Sequence, residues 1–307
     1  MKKKKILVTG GTGFVGANLV ARLVKIGYRP TVLIRKESND WRLKDIISKV
    51  DFLETDILDY ERLEKDIVRV CPDLIYHLAV YGGSQGKQKN FQKILNTNIF
   101  ATINLLNAGF NAGVKYFINT GSSSEYGIKE KIMKETDVLS PINYYAVTKV
   151  ATTLLARVFS IENKLPLATL RLFSPYGYYD DEDRFVSTVI RAGLENKDME
   201  LSDPNFVRDF IFIEDVVDAY IYFLKGKNYY GEIFNIGSGK QTTLADFTKI
   251  AEKVIGKAMK IKWAMHKSNQ FEPKRWQADI SKAKLALNWR PKHTLKTGIS
   301  KIIKNMN

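Results

Sequence analysis

Tyr145 and Lys149 stand four residues apart in Asn143-Tyr144-Tyr145-Ala146-Val147-Thr148-Lys149, so on a helix both project from one face. A phenol beside an ammonium has a chemical use. The positive charge favours the phenolate and draws the tyrosine pKa toward a range suited to proton transfer. Upstream, Tyr116-Phe117-Ile118-Asn119 reads as a strand that ends in Thr120-Gly121-Ser122-Ser123-Ser124-Glu125-Tyr126-Gly127, a serine-bearing strand end. A solvent-facing Tyr/Lys pair is the bland alternative. The N-terminal context favours catalysis.

That context is Lys5-Ile6-Leu7-Val8-Thr9-Gly10-Gly11-Thr12-Gly13-Phe14-Val15-Gly16. The run Ile6 to Val8 reads as a buried parallel strand, and from Phe14 the apolar positions recur at helical spacing. Strand, glycine turn and helix form a dinucleotide-binding fingerprint. Gly10 and Gly11 allow the tight turn, Gly13 lets a pyrophosphate approach, and Gly16 lets helix pack on strand. The first-turn N–H groups then face the phosphates.

The elements that position these groups alternate between strand and helix. A second strand, 28–35, ends in Leu33-Ile34-Arg35-Lys36. An acid there would bond the ribose hydroxyls of NAD, whereas Arg35 with Lys36 suits a 2′-phosphate. NADP(H) is therefore the preferred cofactor, with NAD(H) possible. Further strands are expected at 50–53 and 73–79, with Asp59 capping the helix between them. Gly82-Gly83-Ser84-Gln85-Gly86 reads as a mobile loop, and one long helix is expected over 91–111, with Leu95, Ile99, Ile103 and Leu106 on one face. A helix from about 143 to 163 carries Tyr145 and Lys149. The fold class is α/β, a Rossmann-like doubly wound parallel sheet, whose ligands sit outside the carboxyl ends of the strands.

Composition narrows the partners. The chain has 307 residues, 45% of them hydrophobic, enough for a large core. Lys and Arg outnumber Asp and Glu by 48 to 33, for a net charge of +15. The lysines are spread without a basic helix or arginine-rich tract, so a lysine-rich surface is the reading rather than nucleic-acid binding. The single cysteine, Cys71, suits a reducing compartment, and Ile6-Leu7-Val8 is too short for a signal peptide or membrane span. A cytoplasmic protein is expected. His77, His266 and His293 lack metal-ligand spacing, so no metal is expected.

Taken together, these residues resemble the extended short-chain dehydrogenase/reductases, in their nucleotide-sugar-modifying branch. Gly10, Gly13 and Gly16 fit the family's glycine spacing, and Phe14 and Val15 follow it. Asp56-Ile57 fits its adenine-contacting pair, and His77-Leu78-Ala79 its fourth-strand signature. Ser122, Tyr145 and Lys149 fit its catalytic trio. Leu170-Arg171-Leu172-Phe173-Ser174-Pro175-Tyr176-Gly177 resembles the segment joining nicotinamide and substrate sites, which places Phe173 at the cofactor and Ser174 at the substrate. The family usually has asparagine where Ser174 stands. By resemblance Ser123 also contacts substrate, and Arg208 and Arg275 grip its pyrophosphate, a task suited to the guanidinium fork. The resemblance further implies a smaller mixed α/β substrate-binding C-terminal domain. The expected division is 1–172 for cofactor, with 208–230 returning to it, and 173–207 with 231–307 for the nucleoside-diphosphate sugar. A homodimer through the helices near 91–111 and 145–163 is also implied.

Three reactions share such a scaffold: 4,6-dehydration, 4-epimerisation and 4-ketoreduction. Dehydratases resembling this chain carry Thr-Asp-Glu or a similar triplet where Ser122, Ser123 and Ser124 stand, and Glu125 is one position off. Arg35 favours a net NADPH-consuming reductase over an epimerase that retains its cofactor. The segments around 184–190 and 208–220 resemble bacterial CDP-paratose and CDP-abequose synthases, which are 4-ketoreductases, while 276–291 resembles general sugar epimerases. A cofactor-sensing regulator without chemistry is the alternative from another class, and the intact trio argues against it.

Overall fold

The structure, a computed structural model, describes residues 3–83, 90–263 and 273–306. Ser84 to Gly86 of the expected mobile loop, and His266, lie outside the described residues. The chain forms two compact units. The first is Met1–Gly127, Leu139–Arg171 and Val217–Phe234; the second is Ile128–Val138, Leu172–Val216 and Asn235–Asn307.

The strands of the first unit's sheet are β1 (Ile6–Thr9), β2 (Thr31–Ile34), β3 (Asp51–Glu54), β4 (Leu74–His77), β5 (Tyr116–Ser122), β6 (Leu167–Leu172) and, later in the chain, β11 (Tyr230–Ile236). Their order is β11-β6-β5-β4-β1-β2-β3. The pairings β1–β2, β2–β3, β1–β4 and β4–β5 are all parallel. This is a doubly wound sheet whose order reverses beside β1, the place where such folds open a ligand crevice. β1 and β4 are buried along their whole length, which explains the unbroken apolar run of Ile6-Leu7-Val8.

Helices α1 (Phe14–Lys25), α2 (Tyr60–Val70), α3 (Phe91–Leu95), α4 (Ala101–Asn111) and α5 (Tyr144–Asn163) flank the sheet. Asp59 caps α2, its side chain accepting from the Arg62 N–H at 3.2 Å. The helix expected over 91–111 is interrupted by a π turn, Asn96–Phe100, between α3 and α4. Its buried row is Ile94, Asn98, Ala101, Thr102, Leu105 and Leu106, whereas Leu95, Ile99 and Ile103 stay half-buried. Regular spacing could not anticipate the extra residue that a π turn inserts.

The second unit holds three small sheets. In chain order its strands are β7 (Ser174–Tyr176), β8 (Met199–Leu201), β9 (Val207–Arg208), β10 (Phe210–Phe212), β12 (Thr242–Thr243) and β13 (Ile261–Trp263), paired β10–β7, β12–β9 and β13–β8. Its helices are α6 (Phe185–Glu195), α7 (Ile213–Tyr222, which runs on into the first unit), α8 (Leu244–Ile255), α9 (Ser281–Leu287) and α10 (Leu295–Met306). Tyr176, Phe185, Phe210, Phe212 and Phe247 pack ring against ring. The units divide differently from the sequence-based boundaries. Residues 128–138 join the second unit because Met133 donates to the Gln277 carbonyl at 2.9 Å and accepts from Asn235 at 3.0 Å. Residues 208–216 stay there because β9 and β10 pair with β12 and β7. Strand pairing between distant segments has no local signal.

Candidate active site

The turn from β1 to α1 is built from residues that a side chain would spoil. Gly10 has φ +67, and a Cβ there would lie 2.5 Å from the Ala79 nitrogen. A Cβ on Gly16 would lie 2.1 Å from the Gly10 carbonyl oxygen, so helix and turn touch through backbone. Gly13 caps α1, and its N–H donates to Gly10 at 3.0 Å.

One cleft runs past this turn. Gly10, Thr12 and Gly13 form one wall, Leu33, Ile34, Arg35 and Ser38 another. Asp56, Ile57 and Leu58 follow β3, and Leu78, Ala79 and Val80 follow β4; Thr97 and Ala101 close the set. Of the residues expected at a cofactor, Gly10, Gly13, Arg35, Asp56, Ile57, Leu78 and Ala79 are thus together. Phe14 is buried in α1, Val15 half-buried, and Lys36 exposed and outside the lining. The donor set fits a dinucleotide: a glycine turn free of Cβ atoms, helix-start amides for phosphate, a cation for the ribose and its phosphate, and Asp56-Ile57 for the adenine. Arg42 was not anticipated. Its guanidinium donates to the Thr12 carbonyl at 3.4 Å and lies over the Trp41 ring, within a 3-10 turn (Trp41–Lys49) that the sequence pattern did not show.

Ser122, Tyr145 and Lys149 lie in the same unit. Asn143 starts α5, its side chain accepting from the Ala146 N–H at 2.8 Å, which places Tyr145 and Lys149 in the first two turns. Lys149 is 6% exposed, and its Nζ donates to the Thr120 carbonyl on β5, two residues before Ser122. Burial lowers its pKa to about 8, while the charge of Glu125 acts in the opposite sense. Ser122 caps the 3-10 turn Ser123–Tyr126, accepting from the Ser124 N–H at 3.1 Å. Tyr145 is half-buried, with Gly83 close to its ring; Tyr144 beside it is exposed. Ser123 is buried.

Asn98 was also missed. Inside the π turn, its Oδ1 accepts from the Tyr81 N–H at 2.8 Å, and its Nδ2 donates to the Tyr81 carbonyl and to Thr148 Oγ1. Thr148 lies between Tyr145 and Lys149 and donates to the Tyr145 carbonyl at 2.8 Å. A buried asparagine in an apolar helix was the available signal. His77 is bonded to Thr9 at 2.7 Å and Thr102 at 2.9 Å.

In the second unit, Arg208 lies with its guanidinium 5.7 Å from the Trp276 ring, and Arg275 donates to Gln277 at 3.2 Å. Asp209 holds these segments together, accepting from Ser238 N–H and Oγ at 2.6 Å, Gly239 at 3.1 Å and Ala278 at 3.0 Å. Phe173 is buried and Ser174 half-buried, with the Ser174 N–H donated to the Asp209 carbonyl.

Over residues 6–237 the sequence matches the NAD dependent epimerase/dehydratase family. The chain belongs to that family. It is similar to an uncharacterized UDP-glucose epimerase of Bacillus subtilis, 31% identical over 96% of each chain. It is also similar to a UDP-glucuronate 4-epimerase of Thermodesulfobacterium geofontis, 30% identical over 97% of this chain and 94% of that one. Among solved structures, UDP-glucose 4-epimerase of Thermotoga maritima with UDP-glucose superposes with a TM-score of 0.90 at 27% identity, covering 98% of each chain. UDP-glucuronic acid 4-epimerase of Bacillus cereus, in complex with UDP-glucuronic acid and NAD, gives 0.86 at 31% identity, covering 99% of this chain and all of that one. In this member of the epimerase/dehydratase family a serine and a buried lysine are held to the carboxyl end of β5, with a tyrosine one turn before the lysine on α5. Among the described residues no helix is long and apolar enough to cross a membrane.

Proposed function

We propose that this chain is an NADP-linked oxidoreductase acting at C4 of a hexose carried on a nucleoside diphosphate, reducing a 4-keto-6-deoxy sugar. The observation that carries the reading is Arg35, a cation on the cleft wall at the end of β2, where NAD-specific folds place an acid. Arg42, bonded to the glycine turn, adds a second cation near that wall.

A bound nicotinamide supplies the hydride. Tyr145 gives its phenolic proton to the oxygen forming at C4, and Ser122 hydrogen-bonds the same oxygen. Lys149 favours the phenolate left on Tyr145 and holds the ribose. Arg208 and Arg275 bind the pyrophosphate, with Ser123 and Ser174 as further substrate contacts. Glu125 is fully buried and paired with Arg171, so it does not serve as the acid of a dehydratase.

The test is NADPH oxidation with a panel of nucleotide-linked 4-keto-6-deoxy sugars. Turnover with stoichiometric NADP+ release supports the reading. The second reading is a 4-epimerase, favoured by a relative named UDP-glucuronate 4-epimerase at 30% identity over 97% of this chain. Interconversion of 4-hydroxy nucleotide sugars without net cofactor consumption would select it.

The enzyme is further proposed to work as a homodimer. Phe100 just before α4, Phe110 within it, and Leu154, Val158 and Ile161 along α5, are exposed apolar side chains on helices of one unit. Leu154, Val158 and Ile161 recur at a spacing that puts them on one helical face.

A further inference from the structure

Glu125 and Arg171 form a buried ion pair at 2.8 Å, 0% and 1% exposed. Every contact on the carboxylate comes from a donor. Oε1 accepts the Ser122 N–H at 2.8 Å and the Thr153 hydroxyl at 3.1 Å, and Oε2 accepts Arg171 Nε. Arg171 in turn donates to the Tyr126 hydroxyl at 3.0 Å and lies over its ring. The space is cut for this arrangement. A Cβ on Gly121 would lie 2.7 Å from Glu125 Oε1 and 3.0 Å from the Arg171 side chain. A buried pair is weak evidence for stability, since apolar residues of the same volume often serve as well. Its location is more informative. Glu125 ties Ser122, at the end of β5, to Thr153 on the helix that carries Tyr145 and Lys149.

We infer that Glu125, anchored by Arg171, is a positioning residue: it fixes the backbone of Ser122 against α5, the helix that carries Tyr145 and Lys149. The inference rests on the catalytic trio of the proposed function. Among the described residues, the titratable groups that act on Lys149 or sit beside it are Glu125, His77 at the end of β4, and Tyr145 one turn earlier on α5. His77 is neutral, its pKa held at about 3 by burial and by the lysine's charge. Glu125 is therefore the group that opposes the desolvation of Lys149. Without it the lysine loses its proton at lower pH and no longer favours the Tyr145 phenolate.

The test uses the full-length Glu125→Val/Arg171→Met double variant, which replaces both charges with apolar volume, and Glu125→Gln, which keeps shape and removes charge. Competitive acetylation of lysines across pH, read by peptide mass spectrometry, gives the Lys149 titration midpoint without substrate. Steady-state kinetics give kcat, KM and the alkaline limb of the pH profile. The midpoint should fall below the wild-type value of about 8. In parallel, kcat should fall roughly 10–100-fold, the scale of a displaced catalytic group, with KM little changed and the alkaline limb moved to lower pH. Either an unmoved midpoint or an unchanged kcat overturns the inference. If the double variant does not fold, Glu125→Gln carries both readouts. If the wild-type enzyme turns over no nucleotide sugar, the functional reading fails, and the labelling midpoint alone decides the role of Glu125.

Discussion

Lys149 reaches from the second turn of α5 to the carbonyl of Thr120 on β5, so the lysine and Ser122 are held to one strand end. The contact joins two segments that are far apart in sequence, and it leaves Tyr145 one turn earlier on the same helix. Tyr145→Phe removes one hydroxyl and little volume. Turnover should fall by roughly 10²–10⁴-fold, the usual contribution of a positioned acid, with the fold intact by circular dichroism. Tyr144→Phe is the control, because Tyr144 points about 100° away on the helix and should not reproduce that loss. Near-normal turnover in well-folded Tyr145→Phe would remove Tyr145 from the mechanism.

Lys149→Met should damage both turnover and cofactor affinity. In the wild-type enzyme, the fraction of charged Lys149 declines as pH rises through about 8, its depressed pKa. Turnover should therefore decline on the alkaline side near that pH. A rate that stays flat to pH 10 in a stable enzyme would argue against a charged lysine in the rate-limiting step.

Arg35→Asp tests the cofactor reading. Loss of a charge-assisted contact to a 2′-phosphate should weaken NADP binding by roughly tenfold or more while sparing NAD. Arg42→Ala should act in the same direction. Equal weakening for both cofactors, measured by fluorescence titration, would place Arg35 away from the ribose.

His77 offers a test of stability. Its folded pKa is about 3 against 6.5 for the free side chain, because burial between Thr9 and Thr102 disfavours the charged form. Between those values the unfolded chain binds a proton that the folded chain does not, so stability falls as pH falls below 6.5. The loss from this group is about 2 kcal/mol between pH 7 and pH 5. Denaturant titrations should show a shallower acid slope for His77→Asn than for wild type, whatever its stability at neutral pH. Parallel slopes would mean His77 is charged in the fold.

Leu154→Glu/Val158→Glu places two charges on the exposed apolar face of α5. Light scattering at micromolar concentration should then report a monomer for this variant and a dimer for the wild-type protein. A monomeric wild type would defeat the proposed assembly.

Much of the site was legible in the sequence because its signals are local. The glycines after Val8 announce a turn that only backbone can occupy, and Tyr145 and Lys149 share a face through the helical period alone. Arg35 lines the cleft directly after β2, where the strand pattern alone placed it. Tertiary structure decided what depends on distant pairing. Asn98 became a link between Tyr81 and Thr148 through a π turn that no regular spacing predicts. Glu125 looked like a misplaced catalytic acid until Arg171, 46 residues away, was seen beside it in the interior. Residues 128–138 joined the second unit through bonds from Met133 to Gln277 and Asn235. A side chain's type and spacing limit the chemistry it can perform, but its charge state and its partner depend on which remote segment excludes water from it, and the folded packing determines that.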